Sequence, residues 1–393
     1  MHYEFDQIMD RISDPFSFSA KWQGPDYILK SLGISQMRDD MICLETADMD
    51  FKTAPEIIED LKKLADHGIF GYSRIPDSYY QAVSDWFACR QDWQFPKEDI
   101  KYFPGTHDAI AKFVRYYTKP QDGVIILTPC YNYYSDVVNN QRRYITVDMI
   151  NKDETYYVDY AALETACKDP SNTMIIMCHP HNPTGKVFTA EELKRIALIC
   201  RENDVLIISD EVHSDILRKG QEFLPMMKVC GPQGLISCTA VNKTFNLAGL
   251  AMTNAIISDP KLKTAGDGFY CEPSPFGIQA VISAYTKGAA WVDALNSYLD
   301  ENIDVCLDFI NRKLPKAKVS RPEGGYSLYI DFSAYGLSDE EVISRIYSKA
   351  GVVLNSGLFF NDQRGKQVHR ACLSSPRSTC LEAFSRIAEQ FPQ

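Results

Sequence analysis

Between about residues 100 and 260 the chain alternates short apolar runs with longer segments of helical period, and this rhythm narrows the possible folds more than any other feature. The runs are GVIILT (123–128), TMIIMC (173–178), VLIISD (205–210) and LISCTAV (235–241), with TAEELKRIALICREND between the second and third. Strands that alternate with helices in this way form βαβ units, hence an α/β, doubly wound unit around a mostly parallel sheet. The intervening helix is well marked. Thr189 can cap it while Glu192 reaches back as in a capping box, and Leu193, Ile196, Ala197 and Cys200 fall on one face.

At 393 residues the chain has room for two or three domains, and 45% hydrophobic against 24% charged residues is an ordinary globular balance. From about residue 290 the pattern changes to a long helical stretch (291–313), a strand-like YSLYIDF (326–332), a helix after Ser338 and a closing strand and helix. The expected division is therefore an N-terminal segment (1–45) joining a small C-terminal α/β domain (289–393), with a large domain (46–288) between them. A net charge of −11, from 41 Lys+Arg and 52 Asp+Glu, argues against binding nucleic acid or an anionic membrane. The twelve cysteines are scattered with no CxxC, which suits buried thiols in a reducing compartment. The opening MHYEFDQIMDRI lacks the pattern of a signal peptide and no apolar run approaches a membrane span, so the expected location is the cytoplasm.

Ligands of open α/β sheets bind beyond the carboxyl ends of the strands, and three such ends carry polar residues here. One run leads into His179-Pro180-His181-Asn182-Pro183-Thr184-Gly185, another ends at Asp210 with Glu211 and His213 beyond, and LISCTAV leads to Asn242-Lys243. An amide, a carboxylate and a lysine converging from three strands make a candidate pocket. Cys178, His179 and His181 crowd like metal ligands, but a strand running straight into a proline-rich turn is poor geometry for closing a tetrahedral site. Asp48 and Asp50 resemble the start of an EF-hand loop, yet Phe51-Lys52-Thr53 supplies neither the glycine nor further ligands. EDLKK and EEVISRIYSK read as solvated helix faces.

With HNPTG (181–185), SDEVH (209–213) and NKTFNLAGL (242–250), the chain resembles the pyridoxal-phosphate enzymes of the aspartate aminotransferase fold type, fold type I. Within them it is most similar to the MalY/PatB branch of cystathionine β-lyases, through KW (21–22), ADMDF (47–51), IFGYSR (69–74), the spacing of Tyr285, Gly288 and Trp291, and HRACLSSPR (369–377). The likeness runs nearly the whole chain and implies a mostly parallel sheet in a large domain with a smaller α/β domain. It further implies pyridoxal 5′-phosphate as cofactor, bonded to Lys243, whose freed amine takes the substrate Cα proton.

The same resemblance implies the other roles. Asp210 would keep the pyridine nitrogen protonated, Asn182 and His213 would hydrogen-bond the phenolic oxygen, and Tyr131 would stack on the ring. Gly105, Thr106 and His107 would form a phosphate cup where a helix begins, with Asn242 beside it. Tyr72 would reach the phosphate of a neighbouring subunit, making the active unit a homodimer with shared sites, and Arg370 would hold the α-carboxylate of an amino-acid substrate bidentately. The sequence departs from the family pattern at Ala240 and Asn242, where serines are common, and at Ala251, eight residues after the lysine, where a cation is usual. The phosphate would lose one positive charge there, leaving helix dipole, Thr106, Asn242 and Tyr72 to balance it.

The expected reaction is carbon–sulfur β-elimination from L-cystathionine or a related cysteine S-conjugate, giving pyruvate, ammonia and a thiol. The alternative is an aminotransferase of an L-amino acid on the same scaffold. ADMDF, IFGYSR and the histidine of DEVH favour the lyase, and Lys243, Asp210, Asn182 and Arg370 argue against a binding protein that has lost turnover.

Overall fold

The computed structural model describes residues 3–23, 26–34, 40–138, 142–266 and 271–392. Its centre is a seven-stranded sheet of Ile100–Phe103 (β1), Gly123–Thr128 (β2), Arg143–Asp148 (β3), Asn172–Cys178 (β4), Leu206–Asp210 (β5), Leu235–Thr239 (β6) and Thr253–Ile256 (β7), in the spatial order β1-β7-β6-β5-β4-β2-β3. Strands β6, β5, β4, β2 and β3 run parallel, while β7 is antiparallel to both β1 and β6. The apolar runs are continuous because both faces are covered. Ile125, Leu127, Ile175, Met177, Ile207 and Leu235 enter one core, and Val124, Ile126, Met174, Ile176, Ile208 and Ile236 enter the other. Register then sets the strand ends in a row, since Cys178 lies opposite Asp210 and Asp210 opposite Cys238.

The helix Ala190–Glu202 carries the full capping box between Thr189 and Glu192. LISCTAV, expected as strand through Val241, leaves the sheet at Thr239. Its neighbour β5 runs out at Asp210, opposite Cys238, so Val241–Thr244 turns into a short helical segment instead. Strands β1, β3 and β7 gave no apolar run, because IKYF, RYITVD and TNAI mix polar residues and are fixed by long-range pairing. The two stretches expected as solvated faces are in fact amphipathic. Asp60 is buried, accepting from Ser283 Oγ at 2.7 Å, and Val342, Ile343, Ile346 and Tyr347 turn inward.

A second, antiparallel sheet orders Lys318–Val319, Ser327–Asp331, Val368–Cys372 and Asn355–Ser356, with Leu328, Ile330, Ala371, Phe384 and Ile387 in its core. Ile28, Leu29 and 41–44 pack into this core, and Ile42–Cys43 pairs parallel with Val352–Val353. Phe5, by contrast, packs on Phe51 and Trp291 of the large core. The helix Ala289–Lys313 serves both cores, giving Trp291, Leu295 and Leu299 to one and Ile303, Cys306 and Ile310 to the other.

All twelve cysteines are free thiols and most are buried. The suspected ligand group is satisfied internally: Cys178 Sγ donates to the Pro180 carbonyl at 3.1 Å, His179 Nε2 lies 3.1 Å from the Leu224 carbonyl, and His181 Nδ1 lies 2.8 Å from Thr184 Oγ1. Among the described residues no helix is long and apolar enough to cross a membrane.

Candidate active site

Asp210 ends β5 and is buried. Its Oδ2 accepts from Tyr134 Oη at 2.8 Å, and burial pushes its carboxyl up to about 6 against the pull of that bond. Tyr131 lies close by, its ring centroid 5.9 Å from that of Tyr134 and edge-on to it. The other acid of the motif, Glu211, points away from the site. It is fully buried and accepts from Ser209 Oγ at 2.8 Å and Met226 N–H at 3.0 Å.

Lys243 lies on the helical turn after β6, and its Nζ donates to the Ala47 carbonyl at 3.0 Å. Burial lowers its pKa, and Arg370 lowers it further. His213 is buried with Nδ1 unpartnered among the described residues, and burial, then Lys243 and Arg370, hold its ring at about 3, so it is neutral at ordinary pH. Arg370 comes from the second sheet. Its Nη1 donates to Asn182 Oδ1 at 2.9 Å, Nη2 bonds the Glu45 carbonyl, Nε is unpartnered among the described residues, and the guanidinium lies 5.0 Å from the Phe360 ring centroid. Ala47, Asn182, His213, Tyr326, Ser327 and Arg370 line a narrow cleft, and Lys243 lies near enough to Arg370 and Asp210 to feel their charge. The fold thus brings together Lys243, Asp210, Asn182, His213 and Arg370.

Gly105 and Thr106 open the helix Thr106–Tyr117 after β1, and Thr106 Oγ1 is 3.0 Å from Thr253 Oγ1 on β7. Asn242 Oδ1 is buried without a partner among the described residues. His107 is exposed, its ring 5.2 Å from Tyr133 and edge-on. Ala251 takes the left-handed conformation (φ 55°) and its carbonyl accepts from Tyr102 Oη at 3.3 Å. Tyr72 stands apart, 95% exposed, on a segment where Ile69 and Phe70 are exposed as well.

Sequence reasoning missed Tyr134, a tyrosine inside a tyrosine-rich run, and the strap 45–50 as a structural unit. Lys21, fully buried, donates to Asp50 Oδ2 at 2.7 Å and to Ser375 Oγ at 3.2 Å, and Trp22 Nε1 donates to Asp50 Oδ1 at 2.8 Å. Asn246 Nδ2 donates to the carbonyls of Met49 and Phe51 at 3.0 and 2.9 Å. The KW, ADMDF and KTFN motifs are therefore one clamp, which carries the Ala47 carbonyl to Lys243. Only the short spacing of Lys21 and Trp22 could have hinted at it.

Residues 39–387 match the family model for aminotransferase class I and II. The chain belongs to that family. Among its relatives, cystathionine beta-lyase PatB of Bacillus subtilis (strain 168) is 36% identical over 362 residues, covering 90% of this chain and 91% of that one. A PLP-bound C-S lyase from Staphylococcus hominis superposes with a TM-score of 0.92 at 28% identity, covering 100% of this family member and 99% of the other. A PLP-bound protein from Clostridium difficile 630, provisionally described as an aminotransferase, gives a TM-score of 0.92 at 36% identity over 99% and 100% of the two chains.

Proposed function

We propose that the protein is a pyridoxal-phosphate-dependent carbon–sulfur β-lyase that cleaves L-cystathionine or a related cysteine S-conjugate to pyruvate, ammonia and a thiol. The observation that carries this reading is the Lys243 amine, its pKa lowered, in one electrostatic neighbourhood with Asp210, His213 and Arg370. Likeness to named lyases across nine-tenths of the chain supports it.

The residues fit the cofactor. His213 Nδ1 and Asn242 Oδ1 are buried polar atoms without partners among the described residues, a costly state that a polar group in the site would relieve. Asp210 is a buried carboxyl in need of a cation, and a protonated ring nitrogen supplies one. When bound, the cofactor offers a pyridine ring, conjugated with the substrate amine, that takes up the electron pair left at Cα. Lys243 Nζ removes the Cα proton, for which an amine with a lowered pKa is suited. Arg370 binds the α-carboxylate, and Asn182 fixes the guanidinium plane. Tyr134 holds Asp210 in place, Tyr131 would stack on the ring, and Asn182 and His213 would hydrogen-bond its phenolic oxygen. Gly105, Thr106, His107 and Asn242 would hold the phosphate, completed by Tyr72 of the partner subunit in a homodimer. The exposed Ile69, Phe70 and Tyr72 support that last point. On this reading the cofactor domain centres on residues 46–288, and Arg370 comes from a smaller domain within 289–393 whose core residues 28, 29 and 41–44 join. The free thiols fit a cytoplasmic location.

The provisional aminotransferase likeness keeps a second reading open to test. A lyase needs no second substrate. Sustained release of pyruvate, ammonia and thiol from L-cystathionine without added keto acid is the expected result. A reaction that halts after one equivalent and resumes with a keto acid would replace the lyase with the aminotransferase.

A further inference from the structure

The wall behind Arg370 contains a carboxyl group that the reaction does not use. Glu45 is 1% exposed, its Oε1 accepts from Thr46 Oγ1 at 2.9 Å, and its Oε2 has no partner among the described residues. Its carbonyl accepts from Arg370 Nη2 and from Asn355 Nδ2, the latter at 2.8 Å, and touches the Cys372 thiol at 3.8 Å. Two residues on, the Ala47 carbonyl accepts from Lys243 Nζ and from Tyr326 Oη. The three-residue stretch from Glu45 to Ala47 therefore ties the residue proposed to bind substrate to the residue proposed to take its proton.

The titratable groups that interact electrostatically with the Glu45 carboxyl come from four elements: Lys21 on Ala20–Gln23, Arg370 on Val368–Cys372, Tyr347 on Ser344–Lys349 and Cys43 on Ile42–Cys43. Lys21 is already matched by Asp50 at 2.7 Å. With Glu45 neutral, Arg370 is a buried cation that no carboxylate among the described residues pairs with, since Asn182 and the Glu45 carbonyl are neutral acceptors. With Glu45 ionised, that cation is balanced, and an arriving carboxylate is a second negative charge in a low-dielectric site. Burial pushes the Glu45 carboxyl up to about 7 against the pull of Lys21 and Arg370, so both states are populated near neutrality.

We propose that Glu45 is a positioning residue for Arg370, and that its charge state sets how strongly Arg370 attracts the substrate carboxylate. The inference rests on the reading of Arg370 given above. Substrate carboxylate and a proton on Glu45 enter together. By linkage, carboxylate binding raises the Glu45 pKa, so affinity is full below neutrality and falls as pH rises through 7.

The probe is propanoate, a carboxylate with no amino group to titrate, as a competitive inhibitor of the holoenzyme, with its binding also followed by calorimetry in two buffers of different ionisation enthalpy. In the wild type its Ki is expected to rise about five- to tenfold from pH 6 to 8, with uptake of a fraction of a proton near pH 7. Glu45→Gln, which keeps size and hydrogen bonding, should flatten the Ki profile to within about twofold and abolish the proton uptake. A wild-type Ki independent of pH without proton uptake overturns the proposal even if the variant does not fold, and so does a Glu45→Gln profile as steep as the wild type. Arg370→Ala separates the two readings. If it binds propanoate as well as the wild type, the role of Arg370 fails, whereas loss of binding with an unchanged Glu45→Gln profile sinks only the role of Glu45.

Discussion

Replacing Lys21 by Met tests the clamp that holds the strap against Lys243. The Lys21 side chain is fully buried, and its Nζ reaches Asp50 Oδ2 at 2.7 Å, Ser375 Oγ at 3.2 Å and the Asp48 carbonyl at 3.4 Å. Methionine fills nearly the same volume, so the change removes a charge rather than packing. Breaking a buried pair from one side typically costs about 3–5 kcal/mol, because the remaining charge is left without compensation. Asp50 keeps Arg11 Nη1 at 2.8 Å, Trp22 Nε1 at 2.8 Å and Ser375 Oγ at 2.6 Å. The expected loss is therefore at the low end, about 3 kcal/mol or a factor of about 150 in the unfolding equilibrium. Urea unfolding followed by tryptophan fluorescence measures it. Burial raises the Asp50 pKa, but Lys21 and the bonds from Lys21, Ser375 and Trp22 outweigh it and hold the carboxyl below its ordinary value. The pair thus stabilises above the ordinary carboxylate range and fades as pH falls through the lowered pKa, so the difference should persist at pH 5 and shrink below about pH 4. A loss under about 1 kcal/mol at pH 7, the scale of a surface pair, would refute the reasoning. Lys21→Met with Asp50→Leu should recover part of the stability but not all, since Trp22 and Ser375 then lose the Asp50 acceptor and Arg11 keeps only Asp48 and the Met49 carbonyl.

Arg370→Ala should raise KM about ten- to a hundredfold while leaving the absorbance of the bound cofactor intact, since a charge-assisted pair to substrate is worth roughly 1.5–3 kcal/mol; a KM within threefold would mean that another group holds the carboxylate. Borohydride treatment of the holoenzyme should fix the cofactor on Lys243, which peptide mapping checks, and a label on another lysine would overturn the assignment. Four buried histidines, His179 and His213 at about 3 and His181 and His369 at about 4, take up protons on unfolding as pH falls below about 6.5. Three buried acids, Glu45 and Glu211 at about 7 and Asp210 at about 6, already hold protons in the folded state there and offset three of them. One net proton gives a slope near pH 5 of about 1.4 kcal/mol per pH unit in the cofactor-free protein, with stability falling as pH falls. Glu211→Gln should about double it, and a wild-type slope near 5 kcal/mol per unit would show that the acids do not compensate.

The large sheet was readable in the sequence wherever burial on both faces made a strand a continuous apolar run, as in GVIILT and TMIIMC. Asp210, Asn182, His213 and Lys243 could be picked out for the same reason, as polar residues where such runs stop. Strands of mixed composition such as IKYF and TNAI were invisible, because pairing rather than pattern makes them. Residue types and order along the chain therefore fixed the α/β class, the strand ends and the motifs that suggested a family. Tertiary structure decided what one dimension cannot hold. Arg370, 127 residues beyond Lys243, reaches Asn182 because a second sheet folds against the first. Lys21 meets Asp50 and Ser375 from three distant segments. Glu45, unremarkable in ICLETADMDF, becomes a carboxyl shut behind Arg370, because burial and the charges around it are properties of packing, not of the residue.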